Sequence, residues 1–271
     1  KPFNTHLDTL DLDLYLRVAP ELYLKRLLVG GFERVFEIGR SFRNEGMSRE
    51  HNPEFTMLEF YAAYWDYEKG MEFVEKMLEH VIQKQFEDNG FSYQGKKINF
   101  NLPFARVTFA DLFKKYADLD YDEASEDDLQ NKARELDIQI DKKMTKGNIG
   151  DEIYKKVARP NIIDPTFVIN HPLKISPLAK KIKDDPDHAA RFQLIAGGME
   201  VVNAFSELND PIDQRERFEI QEKTRKKGDE EAQRLDEDYL EAMEYGMPPA
   251  CGIGIGLDRL DALLTDSHSI R

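Results

Sequence analysis

Cysteine occurs once, at Cys251, among 271 residues, which excludes an internal disulfide and any thiolate-rich metal framework. The six histidines add no metal-ligand spacing. Long apolar runs are missing too: none approaches the roughly 18 residues that a membrane helix needs, and none reads as a secretory h-region. The expectation is a cytoplasmic protein with no membrane partner. Positive charge is scarce, 38 basic against 52 acidic residues for a net −14, which excludes a sequence-independent grip on nucleic-acid phosphates over the whole surface but leaves room for a local basic site. No internal repeat and no low-complexity tract occurs, so a solenoid is excluded. What is present is 41% hydrophobic and 11% aromatic residues, enough apolar area to offset the chain entropy that folding removes. The pattern reads as one continuous fold over 1–271. The chain opens at Lys1 and closes at Arg271 inside an ordered element, so a piece of a longer protein is expected.

Along the chain, Pro20 followed by ELYLKRLLV and Gly30-Gly31 predicts a short helix with Leu24, Leu27 and Leu28 as its apolar stripe. FERVFEIGRSFRNE then alternates as a strand, breaks over a polar loop through Gly46, Ser48 and Pro53, and returns as EFTMLEFYAAY, which predicts a long antiparallel hairpin. Residues 67–86 carry Phe73, Met77, Val81 and Phe86 at helical intervals. From 105 to 160 the composition turns acidic and lysine-rich, which predicts a small helical insertion, 106–160, lying outside the main sheet. Strand character returns at 166–169. RFQLIAGGMEVVNAFSELND reads as two strands joined at Gly197-Gly198, two charged helices follow over about 214–245, and CGIGIG is a strand running into the helix LDRLDALL. Sheet segments with hairpin-type connections predict an α+β fold with a mainly antiparallel sheet flanked by helices.

Three constellations can carry chemistry. On a strand, residues two apart share a face, so Arg43 and Glu45 point together while Phe55, Met57, Glu59 and Tyr61 line one face of the returning strand. A lone Arg-x-Glu pair is ordinarily a solvated salt bridge. Here the loop adds Arg49, His51 and Asn52, donors suited to phosphate oxygens, and the planar guanidinium of Arg43 can take a phosphate or carboxylate through two parallel bonds. In NAFSELND, Asn203, Phe205 and Glu207 share a face. Glu200 falls on the opposite face unless a bulge near Val201-Val202 resets the alternation. Taken alone, Phe205 reads as core and Glu207 as solvated. In GIGIGLDR, glycines at 252, 254 and 256 clear one strand face so that a ligand can lie against the backbone, and Arg259 emerges in the next helical turn. The G-x-G-x-G spacing is not a dinucleotide fingerprint, no Walker lysine follows, and Ser206 has no partnered histidine for a nucleophilic triad.

FEIGRSFRNEGMSREHNPEFTMLEFY resembles motif 2 of the class II aminoacyl-tRNA synthetases and GIGIGLDR resembles their motif 3. With RVAPELYLKR, NAFSELND and LDEDYLEAMEYGMPP, the chain resembles the catalytic domain of the lysyl-tRNA synthetase family from end to end. The resemblance implies a six- to seven-stranded antiparallel sheet, ATP and Mg²⁺ as cofactors, and L-lysine activated to lysyl-adenylate before transfer to tRNA(Lys) by the full-length protein, with a homodimer expected there. It assigns Arg43 to the α-phosphate and the lysine carboxylate, Glu45 to the adenine amino group, and His51 and Asn52 to the phosphate and adenine surroundings. Phe55 and Arg259 are assigned to the two adenine faces, Arg259 also meeting the γ-phosphate. Glu59, Glu207 and Tyr61 are assigned to the ε-ammonium, Phe205 to the methylene stem, Asn203 to the lysine site, and Glu21 to the α-amino group. No cation is expected in that pocket, since a cation would belong to an aspartate- or asparagine-specific relative.

The resemblance has departures. The magnesium pair of glutamates becomes Gln193 and Glu200, Ala204 replaces a glycine and is expected to crowd the substrate, and Asp261 takes a usually apolar helix position and is expected to need a partner. Motif 1, the glycine-containing wall of the amino-group pocket and an anticodon-reading OB-fold are expected outside this chain, as is a closing element after SHSIR, so weak tRNA binding by this piece alone is expected. Two other readings stay open: a paralogue that lysylates a protein of the elongation-factor-P type, and a non-catalytic module that binds lysine or its adenylate.

Overall fold

The computed structural model describes residues 2–141, 144–226 and 235–271. In chain order its elements are β1 (Asn4–Leu7), β2 (Leu12–Tyr15), α1 (Glu21–Val29), β3 (Arg34–Phe42), β4 (Glu54–Ala63), α2 (Tyr67–Gln85), β5 (Gly90–Tyr93), β6 (Lys96–Asn99), β7 (Ala105–Thr108), α3 (Phe109–Ala117), α4 (Glu126–Glu135), α5 (Lys146–Val157), β8 (Thr166–Pro172), β9 (Lys181–Ile182), β10 (Asp185–Ala196), β11 (Met199–Ser206), α6 (Pro211–Lys226), α7 (Glu237–Glu244), β12 (Ala250–Gly256) and α8 (Leu257–Leu264). One large sheet runs β3-β4-β12-β11-β10-β8-β7 with β9 on β10, antiparallel throughout except for the parallel β7–β8 pair. This is the α+β, mainly antiparallel architecture that the hairpin-type connections predict.

The two faces of the sheet divide the molecule. The back face carries Leu58, Phe60, Ile253, Ile255, Val202, Ala204, Phe192 and Leu194, and packs on α2, α8 and the β5–β6 hairpin in one apolar cluster. Gly70 of α2 permits that contact, because a Cβ there would stand 2.8 Å from the Cys251 sulfur and 3.3 Å from Phe192. The front face is covered at both ends and bare between them. At one end α1, α6 and α7 bury Leu24, Leu28, Phe218, Tyr239, Leu240 and Met243 against Tyr61 and Ala250. At the other, α3, α4 and α5 bury Phe109, Phe113, Leu129, Ile149 and Tyr154 against Val168 and Ile195. Capping boxes at Ser125–Asp128 and Thr145–Asn148 start α4 and α5.

Several local expectations need correction. Residues 105–160 do not lie wholly outside the main sheet: 105–108 form its parallel edge strand, and α3–α5 pack directly on β8 and β10. Lys142 and Lys143 of that segment, and 227–234 of the expected charged helices, lie outside the described residues. In α2 the buried stripe is Met71, Val74, Leu78 and Ile82, while Phe73 sits at the margin, edge-on to Phe60 and beside Trp65. Both sets have helical spacing, and contact with the sheet decides between them. In α1 the inward positions are Leu24, Lys25 and Leu28, and Leu27 is exposed.

Candidate active site

The bare middle of the front face is built by strand register. One row across the sheet pairs Glu37, Glu59, Gly254, Asn203 and Gln193, and the next pairs Val35, Tyr61, Gly252, Phe205 and Arg191. Directly opposed residues project to the same side, so the three segments singled out in the sequence meet on one face. Glu200 joins them because the pairing skips a residue: Leu194 faces Val202 while Ile195 faces Glu200, leaving Val201 as the extra residue of a bulge. The glycines of β12 are needed for space. A Cβ at Gly252 would lie 2.0 Å from Oε1 of Glu207 and 2.3 Å from Tyr61.

One half of the site is an open cleft of about 160 Å³ lined by Arg43, Glu45, His51, Asn52, Phe55, Glu200, Asn203, Asp258 and Arg259. Its guanidiniums are anchored on main-chain carbonyls. Arg259 donates to the oxygens of Glu50 (3.1 Å) and Glu200 (3.0 Å), and Arg43 donates to that of Val18 (3.3 Å) while lying 5.1 Å from the centre of the Phe55 ring. Carbonyl anchoring fixes each cation without neutralising it, and the Arg259 guanidinium also stands 3.9 Å from the Glu200 carboxylate, a loose ion pair. Burial and the adjacent Arg259 hold the His51 ring below its ordinary pKa, so it is neutral. Its Nε2 accepts from Arg259 (3.2 Å) and its Nδ1–H donates to Ser48 (2.7 Å), which fixes the loop. Asn52 donates to the carbonyl of Glu54 (2.8 Å), and the Thr56 amide donates to Asp258 (2.6 Å), tying β4 to the start of α8.

The other half is a buried carboxylate cluster. Tyr61 donates to Glu59 Oε2 at 3.0 Å. Glu207 is wholly buried and its Oε1 has no hydrogen-bond donor among the described residues, while Oε2 is ion-paired with Lys25. Lys25, also wholly buried, reaches Glu21 at 2.6 Å and lies 5.3 Å from the centre of the Phe205 ring. The pocket therefore does contain a cation, contrary to the expectation from sequence, but two carboxylates compensate it. Burial and the nearby Glu21 push Glu59 up to about 7, with Tyr61, Arg43 and Lys25 pulling the other way. Burial works to raise Glu207, but the buried ammonium of Lys25, which the acids hold firmly protonated, pairs with it as a carboxylate. Asn203 is oriented by Arg191, which donates to its Oδ1 at 2.9 Å and is itself held by Ser176 and the carbonyl of Ile175.

The departures resolve individually. Gln193 donates its amide N–H to Glu200 (2.7 Å) and turns its oxygen to His171 (3.1 Å), a buried ring that desolvation and Arg191 keep neutral. In this orientation its N–H rather than its oxygen faces Glu200. Ala204 points into the back-face core, so its methyl does not crowd the front face. Asp261 is exposed on α8 and needs no buried partner. Lys25, Arg191, His171 and Asp258 are site residues that the sequence reading passed over; the i,i+4 spacing of Glu21 and Lys25 is the one signal that points to any of them.

An antiparallel sheet whose strand hairpin, bulged strand and glycine-cleared strand place cationic and acidic halves side by side defines the class II synthetase catalytic domain. The chain belongs to the family described as tRNA synthetases class II (D, K and N), which it matches over residues 1–271. It is similar to Lysine--tRNA ligase of Moorella thermoacetica, 51% identical over 272 residues, covering 100% of this chain and 56% of that protein. Lysine--tRNA ligase of Christiangramia forsetii is 48% identical over 271 residues, 100% of this chain and 48% of that protein. The chain spans about half the length of the curated relatives it matches.

Proposed function

We propose that the protein to which this chain belongs activates L-lysine with ATP and transfers it to tRNA(Lys). The observation that supports this most is the pairing, on one sheet face, of carbonyl-anchored arginines in an open cleft with a buried carboxylate, Glu207, that retains a free acceptor oxygen. A primary ammonium deep in the pocket satisfies that oxygen and the neighbouring Glu59, whereas a neutral side chain leaves them desolvated and unpaired, a large penalty. The lysine stem lies along Phe205, its α-amino group meets Glu21, and its carboxylate meets Arg43.

In the reaction, a carboxylate oxygen of lysine forms a bond to the α-phosphorus of ATP as the bond from that phosphorus to the β-bridging oxygen breaks. Lysyl-adenylate and pyrophosphate result. No protein nucleophile takes part. On this reading Arg43 meets the α-phosphate and Arg259 the γ-phosphate, so fixed charge meets the charge that accumulates on the phosphorus oxygens. Phe55 and Arg259 serve the adenine faces, and Glu45, His51 and Asn52 its edge and the neighbouring phosphate.

For Mg²⁺ the donor set is one carboxylate, Glu200, with the Gln193 amide turned away, and no cluster of three or more metal-binding side chains occurs among the described residues. This fits an ion held mainly by nucleotide phosphates and water with a single protein carboxylate. When bound, such an ion neutralises triphosphate charge. Self-association is supported by exposed apolar side chains on the edge strand β3, where Phe36 is 72% and Ile38 58% exposed. No helix among the described residues is long and apolar enough to cross a membrane, and a cytoplasmic location accords with that. The test is ATP–pyrophosphate exchange by the full-length protein. Exchange that depends on L-lysine supports the reading and exchange indifferent to lysine defeats it; charging of tRNA rather than labelling of a protein acceptor completes it.

A further inference from the structure

We propose that Lys25 is a specificity-determining residue, a resident ammonium that sets the charge of the amino-acid pocket so that it accepts a ligand carrying two ammonium groups. This rests on the lysine-binding reading above and adds to it the reason for the second ammonium.

The pocket holds three carboxylates, Glu21, Glu59 and Glu207, of which Glu59 and Glu207 are almost or wholly without solvent. Three buried or half-buried negative charges converging on one cavity would repel one another and take up protons. Lys25 enters from α1, fully buried, and binds Glu207 through Oε2 and Glu21 through Oε1. With all three acids ionised, the form that the substrate binds, two negative charges remain, and L-lysine brings two ammonium groups, its carboxylate being answered separately by Arg43. The geometry divides the labour in the same way. Lys25 occupies only one oxygen of Glu207, and Oε1, held over Gly252, stays without a donor. The other ionisable groups facing Lys25 and Glu207 are Tyr61 from β4 and Tyr239 from α7, with Cys251 behind them on the other face of β12, all neutral near pH 7 because burial pushes each upward. None of them can replace the ammonium.

A buried cation with such partners is more than packing. An apolar side chain at position 25 would fill the same space by Phe205, but it would leave Glu207 and Glu21 uncompensated. One of them would then hold a proton, and the charge-assisted bond that recognises the substrate ammonium would weaken.

The experiment is a double-mutant cycle in the full-length protein, read as KM for lysine and KM for ATP in pyrophosphate exchange. Lys25→Met is expected to raise the lysine KM by at least about tenfold while leaving the ATP KM within about twofold. Glu207→Gln is expected to raise it further, because Lys25 then overcompensates the pocket. Lys25→Met/Glu207→Gln removes the pair together and restores two net negative charges. It is expected to be less impaired than the product of the single effects by at least about tenfold, and it avoids the unpaired buried charge that could prevent a single variant from folding. Equal rises in both KM values for Lys25→Met, or singles that multiply without coupling, would overturn the proposal. Should the singles fail to fold, a double variant as impaired as complete loss of lysine discrimination, measured against L-norleucine, overturns it, and one that still prefers lysine supports it. Wild-type protein without lysine-dependent exchange defeats the underlying reading instead, so the two failures are distinguishable.

Discussion

The two halves of the site are organised on opposite principles. In the nucleotide half, Arg43 and Arg259 rest on carbonyl oxygens, keep their charge, and stand at the rim of an open cleft. In the amino-acid half, Glu207 and Lys25 are buried and already paired, and one oxygen of Glu207 is left for a ligand. The first half binds by holding its guanidiniums fixed in a solvent-open cleft. The second selects by having its charges almost settled, so that a ligand with the wrong count of ammonium groups leaves something buried unpaired. Affinity for a triphosphate needs the former and discrimination among amino acids the latter.

If the halves are as separate as this, damage to one should spare the other. Arg259→Ala is expected to cost about 10² to 10³ in the exchange rate constant, as for removal of a fixed donor from a developing charge. Lysine binding without nucleotide, followed by calorimetry, should be unchanged, and a large loss of lysine affinity would break the division. Glu207→Gln is expected to lower kcat/KM for lysine by about 10² or more with the ATP KM held within about twofold.

The pH dependence sharpens the contrast. Glu59 is raised to about 7, above its ordinary value of 4.5, so the folded empty pocket holds a proton that the unfolded chain has released. This group's contribution to stability is therefore full below about pH 4.5 and is lost as pH rises to about 7. The substrate ammonium requires the ionised form, so lysine affinity is expected to rise by about tenfold between pH 6 and 8. Titration calorimetry across that range should show the rise for wild type and not for Glu59→Gln. Ala204→Gly gives the smallest effect: a lysine KM within about twofold of wild type and a loss of about 1 kcal/mol in urea unfolding, because the methyl belongs to the back-face core rather than the pocket.

Much of the fold was legible. The β3–β4 and β10–β11 hairpins, the β12–α8 junction and the antiparallel character follow from alternation and turn residues, and even the bulge at Val201 is implied by the need to bring Glu200 to the side of Asn203. The N-terminal β1–β2 hairpin and β5–β6 were not seen, since four-residue strands give alternation too little length to register. In the site, Arg43, Glu59, Asn203 and Arg259 stand in recognisable strings, and the register gathers them. Lys25 is easily passed over for a physical reason: a lysine in an amphipathic helix is read as solvated, and only the neighbouring acids Glu21 and Glu207 make its burial tolerable. Ala204 and Asp261 were misjudged because the face on which a residue lies depends on strand pairing and helix docking, which a substitution read in isolation does not reveal.

The extra residue at Val201 has an outcome for length variation. Upstream and downstream of it, β11 runs in opposite phase, so Met199 and Val202 both face the apolar layer although an odd interval separates them. Loss of any one residue between Glu200 and Asn203 would swing the carboxylate beneath Arg259 into hydrocarbon and lift an aliphatic side chain into its place. Indels should accordingly be lethal to nucleotide handling in those few positions, and far better borne at exposed connections remote from the front face.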